Sequence, residues 1–377
     1  MEAVVGIDAS RNRSGGAKAH LVGILQEGDP PAHGIREVHV WSYRSLLDVL
    51  PDKPWLIKHS PPELERSIFH QVWWQYRTLP KEVLRHGCDI LLNTSAGTVC
   101  PFHPAVVMSR EMLCFEKGEM LRYGFSVARL RLMLLRILQI KSMREADGVI
   151  FLTKYASKII QESTGKLECF SIIPHGVGTA FKQYSPSATL PIQPDKAIRC
   201  LYVSNAAMYK HQWVVVNAIG ELRRRGHNVS LLLAGGGAGR AQNLLDKEIA
   251  RTDPQHIFTE TLGFVDPDKL PALLAGSDLF VFASSCENMP NTLVEAMAIG
   301  LPIACSDRGP MPEVLRDGGV YFDPEVSESI TAAVEKIITD SDLRIFIARR
   351  AKALAEQYSW ARCAAETWDF LLTKINK

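Results

Sequence analysis

Short apolar runs rich in Val, Ile and Leu alternate along this chain with longer stretches in which apolar residues recur at helical spacing. That alternation predicts parallel sheets assembled from βαβ units. In the first half the runs predict strands at Val4–Asp8, Val38–Trp41, Trp55–Lys58, Ile90–Leu92, Val106–Met108, Gly148–Leu152 and Ser171–Ile173. Tyr184–Pro194, rich in Pro and Ser and without apolar periodicity, predicts a domain boundary. The pattern then restarts with Arg199–Val203, Ser230–Leu233, Ile257–Thr261, Leu279–Ala283 and Pro302–Cys305. Trp360–Ile375 reads as a separate amphipathic helix whose apolar side needs a partner, and we expect it to cross back onto the first domain. The expected fold is α/β, two doubly wound Rossmann-like domains, 1–185 with the returning helix 358–377, and 186–357.

Composition agrees with this and narrows the function classes. A chain of 377 residues exceeds what one core usually serves. Its 46% hydrophobic and 22% charged residues exclude a disordered or low-complexity protein. A net charge of +2 provides no overall field to gather nucleic acid. The eight cysteines are scattered singly, without a CxxC pair or a zinc spacing, which fits a reduced, cytoplasmic compartment. At the start, Glu2 and Asp8 bracket a buried-strand pattern rather than a basic secretory leader. The longest apolar stretch, Leu130–Ile140, contains Arg131 and Arg136 and falls short of the ~20 residues a membrane span needs.

In open α/β sheets, ligands bind at the carboxyl ends of strands, where turns lead into helix N-termini that favour anions. After Leu279–Ala283 the chain reads Ser-Ser-Cys-Glu-Asn-Met-Pro-Asn-Thr-Leu-Val-Glu, with a helix expected to start near Pro290 or Asn291, Asn being a good cap. Glu287 in the loop and Glu295 past the first turn bracket the donors of Asn288, Met289, Pro290, Asn291 and Thr292. Two carboxylates around a cradle of amides suit a sugar nucleotide, a diphosphate with hydroxyl-bearing groups at both ends; a surface loop with an acidic first turn explains the same spacing. After Arg199–Val203 come Ser204, Asn205 and, just before a helix His211–Arg225, Lys210, placed to neutralise a phosphate. Gly263, Phe264 and Val265 follow a third strand, where the glycine lets backbone approach a flat base while the phenylalanine packs. Asp266-Pro267-Asp268 reads as DxD, yet an N-cap followed by Pro at the first helical position accounts for it. Gly15 and Gly16 form a glycine turn after the first strand, and His175 lies in Pro-His-Gly-Val at the hinge side of an expected cleft. Residues 234–240 depart from GxGxxG at Arg240, which disfavours a dinucleotide site.

Together these residues resemble the family 4 glycosyltransferases, retaining enzymes of GT-B architecture whose two domains face a cleft. The likeness rests on Glu287-x7-Glu295 with the Asn291–Ile299 helix, Leu301-Pro302, Gly263-Phe264-Val265, Lys210, Pro174-His175-Gly176-Val177, Gly15-Gly16 and Tyr358-Ser359-Trp360; it is strong from about Gly148 onward and weak before. It implies that Glu295 holds ribose hydroxyls, Glu287 and Lys210 serve catalysis, and Asn288 to Thr292 with Lys210 hold the diphosphate. It also implies that Gly263 to Val265 flank the base, and that the reaction uses neither cofactor nor metal. Where such enzymes place a basic residue before the lysine, this chain has Ser204 and Asn205; where they place a loop histidine it has Ser109-Arg110-Glu111, making Arg110 and Glu111, with His175, acceptor-side candidates. The implied function is transfer of a hexose from a UDP- or GDP-sugar to a saccharide or lipid-linked saccharide in polysaccharide or lipopolysaccharide O-antigen assembly. A sugar-nucleotide epimerase and a non-catalytic nucleotide-binding scaffold share the architecture. Arg122, Arg129 and Arg136 recur at heptad spacing beside Leu130, Leu134 and Leu138, a pattern that suits either an anionic membrane surface at the inner face or a core helix with a solvated arginine face. Phe69, Trp73, Trp74 and Tyr76 are expected to pack the first domain.

Overall fold

The computed structural model describes residues 2–13, 15–184 and 196–375. The chain divides into two compact units, Met1–Gly176 with Tyr358–Lys377, and Val177–Gln357.

The first unit holds strands β1 (Ala3–Asp8), β2 (Ile35–Trp41), β3 (Leu56–His59), β4 (Ile90–Asn93), β5 (Ala105–Met108), β6 (Gly148–Phe151) and β7 (Phe170–Ile172). They form one parallel sheet in the order β3-β2-β1-β4-β5-β6-β7. Every residue of β1, β4, β5 and β6 is buried, as strands covered by helices on both faces require. Strand order reverses at β1, so the carboxyl ends of β1 and β4 flank a switch point.

As expected, the Trp360–Ile375 helix packs in this unit, against the helix Gly15–Glu27. It buries Cys363, Ala364, Thr367, Trp368 and Leu371, a single stripe at helical spacing. Its partner accommodates two indoles through glycine: a Cβ on Gly23 would lie 2.3 Å from the Trp360 ring, and one on Gly28 would lie 3.0 Å from Trp368 Nε1.

The second unit holds β8 (Ile198–Val203), β9 (Val229–Ala234), β10 (Thr259–Gly263), β11 (Leu279–Phe282), β12 (Ile303–Ser306) and β13 (Val320–Phe322), again parallel, in the order β10-β9-β8-β11-β12-β13. The reversal here lies between β8 and β11. Three details differ from expectation. The three-residue β13 is too short to carry a sequence pattern of its own. β10 starts at Thr259 instead of Ile257, because the Asp253 carboxylate accepts the amides of Ile257, Phe258 and Thr259 at 2.8, 3.0 and 2.7 Å and holds the chain in a turn until the strand begins. The units divide at Gly176/Val177, earlier than the expected 185/186 boundary, since the short helix Thr179–Lys182 packs on Asn291–Ile299 and draws its segment into the second unit. Of the Pro/Ser-rich stretch, residues 185–194 lie outside the described residues.

Candidate functional site

At the second unit's switch point two loops are stitched together. The loop after β8 ends in a 3₁₀ turn, Met208–Lys210, and turns through His211, whose φ of 48° is left-handed, into the helix Gln212–Arg224. The Ser285 amide, in the loop after β11, donates to Tyr209 O at 2.8 Å, and Ser285 Oγ meets His211 Nε2 at 2.9 Å. From beneath, the Tyr202 hydroxyl donates to Lys210 O at 2.7 Å. This frame brings together two residues 77 positions apart: Lys210 Nζ donates to Glu287 Oε1. The lysine is buried, its ammonium 5.2 Å and 5.4 Å from the ring centres of Tyr209 and Phe282. An ammonium held over aromatic faces beside one carboxylate is a compact cationic spot for a phosphate.

The helix Asn291–Ile299 follows immediately. Pro290 occupies its cap position and Asn291 is its first residue, so the expected Asn cap is not formed; a proline side chain has no oxygen to accept the first amides. Those amides and the positive helix end suit an anion. Asn288 and Met289 are buried in the approach to it. One turn further on, Glu295 Oε2 is buried with no hydrogen-bond partner among the described residues. Burial pushes its carboxyl up to about 7. A buried carboxylate oxygen without a donor is costly, and hydroxyl donors from a ligand would relieve it.

Other expected residues separate into engaged and open. Ser204 faces inward, its O and Oγ accepting from Gln212 Nε2 at 3.0 and 3.1 Å, which leaves Asn205 as the exposed member of the pair. Gly263 closes β10 with φ +63°, and Phe264 is 84% exposed, so the ring presents a face to solvent instead of packing as expected. Asp266 Oδ1 accepts from the Asp268 amide at 3.1 Å, the cap geometry that the Asp-Pro-Asp run allowed. In the glycine tract after β9, a Cβ on Gly235 would sit 2.3 Å from Ser204 O; the tract lets two loops touch.

In the first unit, the switch between β1 and β4 gathers a polar network that the sequence did not announce. Gln75 Nε2 donates to Asp8 Oδ2, the Ser10 amide to Asp8 Oδ1 at 3.0 Å, and Thr94 Oγ1 to Asn12 Oδ1 at 2.8 Å. Arg110 joins it, Nη2 donating to the same Asn12 oxygen at 2.8 Å, while burial lowers the guanidinium to about 10. Glu111 beside it is exposed. Gly15, at φ +59°, and Gly16 open the neighbouring helix. His175 is buried, stacked on His20 with ring centres 4.8 Å apart and 5.6 Å from Trp360, a packing position for a residue expected on the acceptor side. Asp8 and Asn93 had a sequence signal, a polar residue ending an apolar run; Gln75, Asn12 and His20 had none.

Further along the first unit is a mainly apolar cavity of about 810 Å³. Ile68, Phe69, Trp73 and Tyr76 line one side, and Leu138 and Lys141 of the helix Val127–Glu145 the other. Only Trp74 of the four expected packing aromatics is fully buried; Phe69, Trp73 and Tyr76 are exposed.

Residues 191–354 match the family model described as glycosyl transferases group 1. Over that segment, a little under half of its length, the chain is similar to the group 1 glycosyl transferases. Lys210, Glu287 and Glu295 all fall within it. Among curated relatives, O-antigen chain mannosyltransferase B of Escherichia coli is 35% identical over 106 residues, 28% of this chain and 28% of that protein. A GDP-mannose-dependent alpha-(1-6)-phosphatidylinositol monomannoside mannosyltransferase of Mycobacterium tuberculosis is 26% identical over 245 residues, 60% of this chain and 61% of that protein. The chain thus spans less than two thirds of these relatives' lengths. In fold it is GT-B: sucrose-phosphate synthase from Thermosynechococcus elongatus superposes with a TM-score of 0.77 at 15% identity, over 98% of both chains.

Proposed function

We propose that this protein is a family 4 enzyme that moves a hexose from a UDP- or GDP-sugar to a hydroxyl of a saccharide or lipid-linked saccharide, with retention, in polysaccharide or lipopolysaccharide O-antigen assembly. The observation that carries the reading is the Glu295 carboxyl, with Oε2 buried and unpartnered among the described residues, one helical turn beyond the uncapped helix start and the Lys210–Glu287 pair. Ribose hydroxyls donate to Glu295, the diphosphate takes the helix amides and the ammonium of Lys210, and Phe264 offers its face to the base. As the diphosphate approaches Lys210, Glu287 is released to accept from donor-sugar hydroxyls. The acceptor oxygen then bonds to the anomeric carbon on the face the diphosphate leaves. The carbon–oxygen bond to the β-phosphate breaks, and the acceptor's proton passes to a departing phosphate oxygen. Charge developing on that phosphate is met by preorganised amides and one lysine, so these groups carry the transition state without a metal.

The first unit supplies the acceptor side. On the Val127–Glu145 helix, Leu130, Met133, Leu134 and Ile137 are all exposed at i, i+3, i+4, i+7 spacing, while Arg136 Nη2 is turned to Ser163 Oγ at 2.9 Å. The helix buries Gln139, Ser142 and Met143 instead, so the core-helix alternative does not describe it. No helix among the described residues is long and apolar enough to cross a membrane. An outward apolar stripe flanked by exposed Arg131 and Lys141 suits an anionic bilayer surface from which a lipid-linked acceptor is drawn. The name of the mycobacterial relative, a phosphatidylinositol mannoside enzyme, is consistent with such an acceptor.

The test is a thermal-shift series with UDP, GDP, ADP and NAD, followed by nucleotide release from the matching sugar donors. One of UDP or GDP at ~100 times its Kd should stabilise by about 2.7 kcal/mol, and Glu295→Ala should abolish the shift. No shift with either, or a shift that Glu295→Ala retains, overturns the assignment. Conversion of a sugar nucleotide without acceptor would establish epimerisation in its place.

A further inference from the structure

Three histidines converge at the edge of the first unit's sheet. His39 lies within β2, His59 is the last residue of the edge strand β3, and His86 follows the short helix Leu79–Arg85. One ring nitrogen from each lies within 4.8 Å of the other two, with His39 Nδ1 only 2.9 Å from His59 Nε2. His39 is buried and the other two are half-buried. The ring centres of His39 and His59, His39 and His86, and His59 and His86 stand 5.2, 4.9 and 4.5 Å apart.

We propose that His39, His59 and His86 form a three-histidine site for a divalent first-row metal ion of imidazole preference, with Zn²⁺ as its natural occupant. The site clips the edge strand β3 and the segment after Leu79–Arg85 to β2. It is independent of the transferase reading, since all its residues lie in the first unit and none belongs to the donor machinery.

Three points support it. Tetrahedral zinc with Zn–N bonds of about 2.0–2.1 Å places ligand nitrogens roughly 3.3 Å apart, between the 2.9 Å of the His39–His59 pair and the 4.8 Å that bounds the cluster. The second nitrogen of His39, Nε2, faces Glu37 Oε2 at 3.4 Å, the carboxylate–histidine arrangement that orients a metal-bound imidazole. Finally, a strand at a sheet edge gains from an added tie, and three imidazoles leave one position for water. A hydrogen bond joins His39 and His59, and His86 Nε2 lies 3.9 Å from Glu82 Oε2, which places a second carboxylate beside the cluster.

The experiment is calorimetric titration of the full-length, chelator-treated protein with ZnCl₂, with thermal unfolding and zinc-edge X-ray absorption of the loaded wild type. Binding of one equivalent, a raised Tm and a first shell containing three imidazoles are expected. His59→Gln and His86→Gln, both at half-buried positions, should each weaken binding by at least tenfold, and Glu37→Gln by about tenfold or more. Absence of stoichiometric binding, binding that both histidine variants retain, or fewer than three imidazoles around the wild-type zinc overturns the proposal. The absorption result decides even where a variant fails to fold.

Discussion

Glu295 combines a buried, partnerless oxygen with a carboxyl pushed up to about 7, and both properties make predictions. On the proposed reading Glu295 accepts ribose hydroxyls in its ionised form, so nucleotide affinity should fall as pH drops through about 7, approaching tenfold per unit in acid. Calorimetry from pH 6 to pH 8 on the wild type and Glu295→Gln checks this; the variant should bind weakly with no such slope. Stability should move the other way. With its folded pKa above the unfolded one, the folded state holds the proton longer, so this group costs stability as pH rises from about 4.5 to about 7. Glu295→Gln should therefore raise unfolding stability at pH 8 by about 3 kcal/mol while losing the ligand, read from paired melting curves. Glu287 and Lys210 invite a split of a different kind. Glu287→Gln leaves the lysine for phosphate and should lower kcat far more than nucleotide affinity, whereas Lys210→Met should lower both, as steady-state kinetics with nucleotide titration would resolve. The positions of both carboxylates and the lysine, in loops after strands or at a helix start, were legible from the sequence. That Ser204 turns inward was not, since its partner Gln212 is eight residues further along and nothing in the spacing selects that bond.

Among the elements, the two helices Gly15–Glu27 and Trp360–Ile375 show how a close approach is specified. The first carries glycine where the second places indoles, and Gly23→Ala would drive a methyl into the Trp360 ring. An overpacking cost of about 1–3 kcal/mol is expected, seen as a lower denaturation midpoint without change in nucleotide binding per folded molecule. The Val127–Glu145 helix offers the opposite case, a stripe of apolar residues left exposed among the described residues. Leu134→Glu with Ile137→Glu should leave Tm nearly unchanged, because both side chains are exposed, yet abolish co-sedimentation with anionic vesicles. Its arginine periodicity drew attention in the sequence, but which face is covered depends on Ser163 and Thr164 of the adjacent helix, which accept from Arg136 and Arg144.

For the molecule as a whole, acid and base act on opposite groups. His20 is fully buried with no hydrogen-bond partner for either nitrogen among the described residues, and burial together with His175 and Arg110 keeps its pKa well below the ordinary value of 6.5. A lowered histidine contributes stability that is complete above about 6.5 and lost as pH falls below it, because the unfolded chain then binds the proton first. Melting curves from pH 7 to pH 5 should show that loss, and His20→Phe, which keeps a ring but removes the titrating nitrogens, should reduce it. By itself the sequence determined the alternation of buried strands and covering helices, hence two parallel sheets, a helix returning to the first unit, and the strand ends where chemistry belongs. Those features follow from local periodicity and turn residues, which neighbouring positions encode. Tertiary structure alone decided that Lys210 meets Glu287, that Glu295 Oε2 is buried without a donor among the described residues, that Asp8, Asn12 and Arg110 share one network, and that His39, His59 and His86 converge. The reason is physical: each depends on strand order and register, which place residues far apart in sequence within a few ångströms, and on burial, which sets the cost of every polar group brought there.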